Sequence, residues 1–296
     1  MNQNTIEQEN PINPETKKLL IKLAQKYETA SFTEQDPSQF IRWYSLPEDV
    51  EVASFIAAML SFGNRKQFIP KIRYIFELAD KAGGMAAWLK NGQYKKDFEC
   101  SDCKFYRFYS YSDMLELFSA LERILQEYNT LGNAVKAFCR GGLDCAGIIG
   151  DKGDSCINDE KKSVSSGARN SVDAILPCSV LDSTLDFFRI HFSKASIVPK
   201  GKTSANKRIF MFLRWMVRQN SPVDLGLWSW FPSSQLIIPL DVHVLQEAKK
   251  LNLIPQKAPA SLNTAHLITA QLQQIWPEDP CKGDFALFGL GVDEEK

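Results

Sequence analysis

Apolar residues recur every three or four positions through most of this chain, which is the spacing of one face of an α-helix. The clearest case is the segment 111–128, YSDMLELFSALERILQEY, where this rhythm follows a candidate helix cap at Ser112 or Asp113. The long alternation of apolar and polar residues that is typical of β-strands does not recur along the chain, and no repeat of fixed period is present. The sequence therefore predicts an all-α fold.

The composition is typical of a packed globular protein. The chain has 296 residues, of which 44% are hydrophobic and 24% are charged, close to the averages for globular domains. The longest apolar stretches, such as VASFIAAMLSF, are shorter than the roughly 20 residues that cross a bilayer. The first residues, MNQNTIEQENPINPETKK, lack the basic start and apolar core of a secretory signal. We therefore expect a cytoplasmic protein with no membrane partner.

Cysteine and histidine spacing gives no sign of a metal site. The seven cysteines are dispersed, and an odd, scattered set argues against a disulfide framework. Only Cys100 and Cys103 have CxxC spacing, and because no second pair or nearby histidine accompanies them, we interpret them as ordinary thiols. His191 and His266 also lack partners at the spacing of metal ligands. The sequence predicts neither a metal nor a cofactor.

Charge is balanced overall but uneven along the chain. The formal net charge is zero, whereas DNA-binding domains are usually basic because neutralising phosphates supplies much of their affinity. Between Lys194 and Arg218, however, every charged residue is a cation. On a helical wheel Arg214 and Arg218 return to within about 20° of Lys207. This pattern fits either a solvated surface stripe or a cationic face that binds phosphates.

Composition divides the chain into four parts. Residues 1–15 form a polar tail that we expect to be flexible, and residues 16–140 form an N-terminal helical part with a break at the turn SFGNR. Residues 141–172 are rich in Gly, Ser, Asp and Lys, which predicts a disordered surface insertion. Residues 173–296 form a second helical part. The closing segment EDPCKGDFALFGLG predicts a helix that is capped by Asp284 and ends at a glycine.

The segment SQLIIPLDVHVLQEAKKLNL carries the most informative pattern. Asp241 stands where a helix N-cap belongs, and a cap that stabilises by about 1 kcal/mol explains it without any function. Taken with Lys207 upstream and DFALFGLG downstream, the segment resembles the end of the helix-hairpin-helix DNA glycosylase core, as in endonuclease III and the 8-oxoguanine glycosylases. The resemblance implies that Lys207 and Asp241 line the pocket for a flipped base. His243 either donates a hydrogen bond to a phosphate or is a structural histidine.

Two further segments bear on the same resemblance. AAMLSFGNR is similar to the superfamily's helix ending whose polar residue enters the DNA stack. This places Asn64 there, with Phe62 as the apolar alternative and Arg65 as a neighbouring nucleic-acid contact. The loop KTSANK departs from the superfamily's GxG hairpin, whose backbone N–H groups approach a phosphate. Lys200 and Lys202 are the residues expected to contact the phosphate in its place.

A closer resemblance is to a bacterial family catalogued as a domain of unknown function (number 2400). Its motifs KR, FLRWMVR, VDxGxW, LIIPLDxH and DFALFGLG are matched in order at residues 207–208, 212–218, 223–228, 236–243 and 284–291. This resemblance covers most of residues 200–292. The four-cysteine cluster that follows the core in endonuclease III has no counterpart after Cys281, so no iron–sulfur cofactor is expected.

These patterns lead to two functional hypotheses. The favoured one is a helical, glycosylase-like DNA-repair enzyme of two packed subdomains that acts on a flipped, damaged base in duplex DNA. The Asp241 carboxylate would stabilise the positive charge that develops on the sugar, and the Lys207 amine could attack the sugar in a lyase step. Nucleic-acid contacts are expected from Arg208, Arg214 and Arg218. The alternative is a non-catalytic nucleic-acid-binding module that uses the cationic stretch alone.

Overall fold

The computed structural model describes residues 11–144 and 179–294. Within these ranges the protein consists of twelve α-helices, three short 3₁₀ turns and one small hairpin, so the all-α class is confirmed. The helices are α1 (Pro14–Tyr27), α2 (Pro47–Leu60), α3 (Arg65–Lys81), α4 (Met85–Lys90), α5 (Tyr94–Asp97), α6 (Tyr111–Tyr128), α7 (Leu131–Asp144), α8 (Val180–His191), α9 (Lys207–Val217), α10 (Val242–Lys250), α11 (Leu262–Gln273) and α12 (Lys282–Glu294). The 3₁₀ turns are Ala30–Gln35, Pro37–Arg42 and Ser233–Gln235.

The small hairpin leads directly into α6. Its strands β1 (Lys104–Tyr106) and β2 (Tyr109–Ser110) pair antiparallel. Ser110, at the end of β2, caps α6, and the Asp113 carboxylate accepts from the Ser110 backbone N–H, which completes a capping box. The expected cap at Ser112 or Asp113 is therefore wrong by a few residues. Strand β2 ends at Ser110, which places this residue at the start of the helix. The Ser112 hydroxyl does not cap the helix and donates to the Ser101 carbonyl.

Two boundaries expected from composition differ from the structure. Helix α1 begins at Pro14, inside the expected tail, because Asn13 accepts a hydrogen bond from the Glu15 N–H and caps the helix. Residues 141–144 form the last turn of α7 rather than the start of the insertion. The remainder of the expected insertion, and residues 1–10, lie outside the described residues.

Helix α2 forms the centre of the hydrophobic core. Every residue from Asp49 to Leu60 is buried, and the helix packs against α3, α4, α7 and α9. Its two buried carboxylates cap other helices. Asp49 accepts from the Ala86 N–H in the first turn of α4 at 2.7 Å, and Glu51 accepts from the Gly132 N–H in the first turn of α7 at 2.7 Å. The unpaired N–H groups at a helix start satisfy these buried charges.

Helix α12 continues through Gly289 and Gly291, where the sequence predicted its end. A Cβ atom at Gly289 would overlap the ring of Tyr27 in α1, and one at Gly291 would lie 3.0 Å from the His243 Cβ in α10. The missing side chains let the backbone of α12 approach both neighbours closely. In the part of the chain that is described, no helix is both long enough and apolar enough to span a bilayer.

Replacing Glu51 with alanine should lower the free energy of unfolding by about 2–3 kcal/mol, because the Gly132 N–H and the Trp228 indole N–H would lose their buried acceptor. Urea unfolding measures the change. The matched control is Glu116→Ala, which removes an exposed carboxylate of α6 and should change stability by less than about 0.5 kcal/mol. Equal effects of the two substitutions would contradict the capping role of Glu51.

Candidate active site

A cavity of about 320 Å³ lies where α9, α10 and α12 meet the turn between α2 and α3. Part of its wall is aromatic and consists of Phe32, Phe62, Phe68 and Phe288. Its charged and titratable lining residues are Asp36, Arg65, Lys207, Arg214, Asp241, His243 and Asp284. The cavity therefore combines flat apolar surfaces with a concentrated set of charges.

The cavity contains an ion pair between the starts of two helices. Lys207 is the first residue of α9, and its Nζ donates to Asp241 Oδ2 at 2.8 Å. Asp241 is the N-cap of α10, where its Oδ1 accepts from the Val244 N–H at 3.0 Å. The Lys207 side chain is 36% exposed and that of Asp241 is 14% exposed, so solvent reaches the pair. The structure thus brings together the two residues that the sequence singled out.

Asp241 is held in its charged form. Burial alone would raise the pKa of Asp241, but the Lys207 ammonium, the Val244 N–H and the nearby His243 together outweigh burial and lower it. At neutral pH this side chain is therefore a carboxylate, with one oxygen bonded to the amine and the other to the helix start. Such a group can stabilise positive charge that develops next to it.

The expected cationic face of α9 lies inside the protein rather than on its surface. Arg214 is 4% exposed and Arg218 is 2% exposed. Their guanidinium groups donate to the buried or partly buried carboxylates of Glu28, Asp224, Asp279 and Asp284. A buried charge requires such partners, because leaving water is costly for an unpaired ion. The structure therefore leaves no solvent-exposed guanidinium at these two positions.

Asp284 belongs to both the cavity and this buried network. It is 4% exposed, and its Oδ2 accepts from Arg214 Nη1. Helix α12 begins at Lys282, so Asp284 lies within the first turn and is not the expected cap. Burial raises the pKa of Asp284 to about 6, with a further contribution from the charge of Asp241 and a partial offset from Arg214. The cavity thus holds two carboxyl groups whose pKa values shift in opposite directions.

Two of the expected phosphate contacts bind backbone carbonyls instead. Arg208 Nη1 donates to the Met59 carbonyl at 2.6 Å, near the end of α2, and its guanidinium lies 4.9 Å from the Phe62 ring centre. Lys200 Nζ donates to the Ala195 carbonyl at 2.7 Å and to two carbonyls at the end of α8, and burial lowers its pKa. Cations at helix C-termini satisfy free carbonyl groups in this way.

The remaining expected contacts are Asn64 and Arg65 at the start of α3, beside the cavity, and Lys202 in the loop before α9. Asn64 is exposed and caps α3, where its Oδ1 accepts from the Lys66 N–H at 2.9 Å. Arg65 lines the cavity, with one guanidinium nitrogen 3.8 Å from Asp36 Oδ2. Lys202 is exposed in the loop before α9. Their positions leave Arg65 and Lys202 accessible from solvent.

His243 and the hairpin between β1 and β2 complete the site, and only the hairpin carried no recognisable signal in the sequence. His243 was expected and lines the cavity, with its ring centre 6.1 Å from that of Phe288. The hairpin turn was not expected: the Arg107 guanidinium lies 5.7 Å from the Phe62 ring centre, and Phe108 is 59% exposed beside it. A φ of 51° at Arg107 turns the chain there. Such short hairpins lack the alternating pattern that identifies longer strands.

Replacing Asp241 with asparagine keeps a capping oxygen but removes the charge, so the loss of stability at neutral pH should be modest, about 1 kcal/mol. The pKa of Asp241 is lowered in the folded protein, so its stabilisation is complete above about pH 4 and is lost as the pH falls through the folded value. Urea unfolding of both proteins should show a difference that shrinks with acidification. Asp102→Asn, at an exposed turn, is the control. A constant difference down to about pH 2 would contradict the ion pair.

Comparisons with known proteins identify a family but no characterised relative. No curated protein and no solved structure matches this chain. A family model described as "Protein of unknown function (DUF2400)" matches residues 36–293. The match includes every residue that lines the cavity except Phe32. This protein therefore belongs to the DUF2400 family.

Proposed function

We propose that this protein is a DNA-repair glycosylase that holds a flipped base in the cavity and its sugar beside Lys207 and Asp241. The observation that carries the proposal is the ion pair of 2.8 Å at the edge of a cavity with aromatic walls. The proposal includes a relationship to the helix-hairpin-helix glycosylases. In support, Lys207 opens one helix and Asp241 opens another, as the resemblance implies.

The cavity is suited to a planar, heterocyclic ligand. Its volume of about 320 Å³ lies at the lower end of the range for small-molecule sites. Phe32 and Phe288 meet edge to face at 5.8 Å and form part of its wall. Enzymes that act on a base in DNA hold the extruded base between apolar side chains and hydrogen-bonding groups. Both kinds of group line this cavity.

The ion pair provides groups for cleavage of an N-glycosidic bond. As the bond between C1′ and the base breaks, positive charge builds on the sugar, and the Asp241 carboxylate stabilises it more than it stabilises the ground state. In the ion pair Lys207 is an ammonium, which is not a nucleophile. A lyase step requires Nζ to lose a proton first, and the positive charge on the neighbouring sugar favours that loss.

DNA would approach over the rim of the cavity. Arg65 and Arg107 supply cations there for phosphate contacts, and Lys202, exposed in the loop before α9, is a further candidate. These cations explain how a chain with zero net charge could bind DNA locally. Phe62 at the cavity and the exposed Phe108 beside it are positioned to fill the gap that an extruded base leaves. We include Arg107 and Phe108 in the proposed surface and leave out Arg214 and Arg218, because the last two are buried.

A non-catalytic binding module is the second candidate. The observation that favours it is the mutual neutralisation of Lys207 and Asp241, since an ion pair of this kind also stabilises two adjoining helix starts without any chemistry. Binding would then use the rim cations alone. The two candidates differ in whether a base is released and whether Lys207 reacts with the sugar.

Borohydride reduction should trap a covalent adduct between the wild-type protein and duplex DNA that carries an abasic site or a base the protein removes, because the reagent reduces a Schiff base formed by Lys207. Lys207→Gln should abolish the adduct, and the matched variant Lys17→Gln, at an exposed position of α1, should retain it. Denaturing gels measure adduct and base release together. DNA binding with neither adduct nor base release would favour the binding module.

The affinity for duplex DNA should fall with salt concentration, because phosphate contacts release counterions. Arg65→Gln and Arg107→Gln should each reduce the slope of log affinity against log salt by about one. Arg123→Gln, at an exposed position of α6, is the control and should leave the slope unchanged. Fluorescence anisotropy at several salt concentrations measures the slopes. Absence of any affinity at low salt would contradict both candidate functions.

A further inference from the structure

We propose that Asp284 donates a proton to the departing base, an inference that rests on the glycosylase function proposed above. It assigns separate tasks to the two carboxyl groups of the cavity. Asp241 acts on the sugar, and Asp284 acts on the base. Asp284 would then be a second catalytic residue.

The position of Asp284 favours the base side of the cavity. Its side chain is more buried than that of Asp241, which lies with Lys207 where solvent reaches the pair. One turn further along α12, Phe288 contributes to the aromatic wall. A nucleotide whose sugar lies beside Asp241 would therefore direct its base toward Asp284 and Phe288.

Arg214 holds Asp284 in place. It donates to Asp284 Oδ2 from one guanidinium nitrogen and to Asp224 Oδ1, at 3.2 Å, from another. Because Arg214 is buried and shared by two carboxyl groups, its charge does not bind either of them exclusively. The network places two arginines, Arg214 and Arg218, among four carboxyl groups, which leaves room for one of these groups to carry a proton. Once Asp284 has given up its proton, Arg214 stabilises the carboxylate that remains.

The electrostatic surroundings let Asp284 keep its proton up to about pH 6. The charged and titratable groups around it are Asp36, Lys207, Arg214, Arg218, Asp224, Asp241, His243, Asp279 and Cys281. Burial raises the pKa of Asp284 to about 6, with the charge of Asp241 adding to the rise and Arg214 and Lys207 opposing it. Two carboxyl groups whose pKa values shift in opposite directions can serve one reaction, with one as the proton donor and the other as the carboxylate that stabilises positive charge.

In the proposed step, the bond between C1′ and the base nitrogen breaks, and its electron pair moves to the base. The proton of Asp284 forms a new N–H bond on the base, which leaves as a neutral molecule. The oxygen of a water molecule bonds to C1′, and the proton that this water loses returns to Asp284 through solvent. Glycoside and water are consumed, and a sugar hydroxyl and a free base are formed.

This assignment predicts which substrates depend on Asp284. A base that is neutral within DNA would leave as an anion unless it receives a proton, so its release needs the acid. A purine alkylated on N3 or N7 already carries positive charge and leaves as a neutral molecule without an added proton. The inferred substrate class of this site is therefore the neutral damaged bases.

The test compares Asp284→Asn with wild type in single-turnover release from two sets of duplexes. One set carries the neutral bases hypoxanthine, ethenoadenine or 8-oxoguanine, and the other carries the cationic bases 7-methylguanine or 3-methyladenine. We expect the variant to slow release of the neutral base by about 10²–10⁴-fold. Release of cationic bases should change by less than about threefold, and the wild-type rate on the neutral base should decline above about pH 6, in line with the raised pKa of Asp284.

Two further variants separate acid chemistry from structure. Asp284→Glu should restore part of the rate on the neutral base. Glu278→Gln removes an exposed carboxylate just before α12 that does not line the cavity, and it should leave both rates unchanged. If Asp284→Asn does not fold, the wild-type pH profile decides, and a rate on the neutral base that is constant from about pH 5 to 8 overturns the proposal.

Failure of this inference is distinguishable from failure of the proposed function. Equal slowing of neutral and cationic substrates, with the wild-type pH profile retained, would overturn the acid role and keep the glycosylase. If the wild type releases only cationic bases, the acid role of Asp284 is likewise overturned and the glycosylase function is kept. No release from any duplex would overturn the glycosylase and the acid role together.

Discussion

The site is held together by buried ion pairs between two arginines, Arg214 in α9 and Arg218 at its C-terminal cap, and carboxylates from separate parts of the chain. Arg218 donates to Glu28 at the end of α1, to Asp224 in the loop after α9 and to Asp279 before α12. Arg214 extends the network to α12 itself. Loss of either arginine would leave buried carboxylates without a partner, which costs about 3–5 kcal/mol. The network therefore fixes α9 and α12, the helices that supply Lys207 and the deep wall of the cavity.

Features that depend on neighbouring residues were partly predictable from the sequence. Apolar periodicity predicted the helices, and the resemblance to the helix-hairpin-helix glycosylase core implied that Lys207 and Asp241 line one pocket. Partners distant in the chain could not be recognised in this way. Arg218 and Glu28 are 190 residues apart. The carboxylates that pair with Arg214 and Arg218 lie outside the stretch from Lys194 to Arg218, so this stretch could be interpreted as an exposed cationic surface. The burial of Arg214 and Arg218 is a tertiary effect that local charge patterns do not contain.

Helix α12 shows how tertiary packing changes the meaning of a local signal. Glycine near the end of an apolar pattern ordinarily indicates a helix stop, yet Gly289 and Gly291 lie within the helix and face neighbouring helices. Asp284, which resembles a cap by position, turns toward Arg214 instead. The first difference arises because α12 packs against α1 and α10, and the second because Asp284 pairs with Arg214 of α9. A single sequence does not reveal which neighbours a helix will have.

The contact of Arg208 with the end of α2 connects two sides of the cavity. Arg208 follows Lys207 directly, and its guanidinium donates to the Met59 carbonyl, a few residues before Phe62 in the cavity wall. This hydrogen bond joins the start of α9 to the end of α2. A cavity braced at this point has its shape before any ligand enters, so a ligand would be selected by its fit at entry rather than by closure of the protein around it.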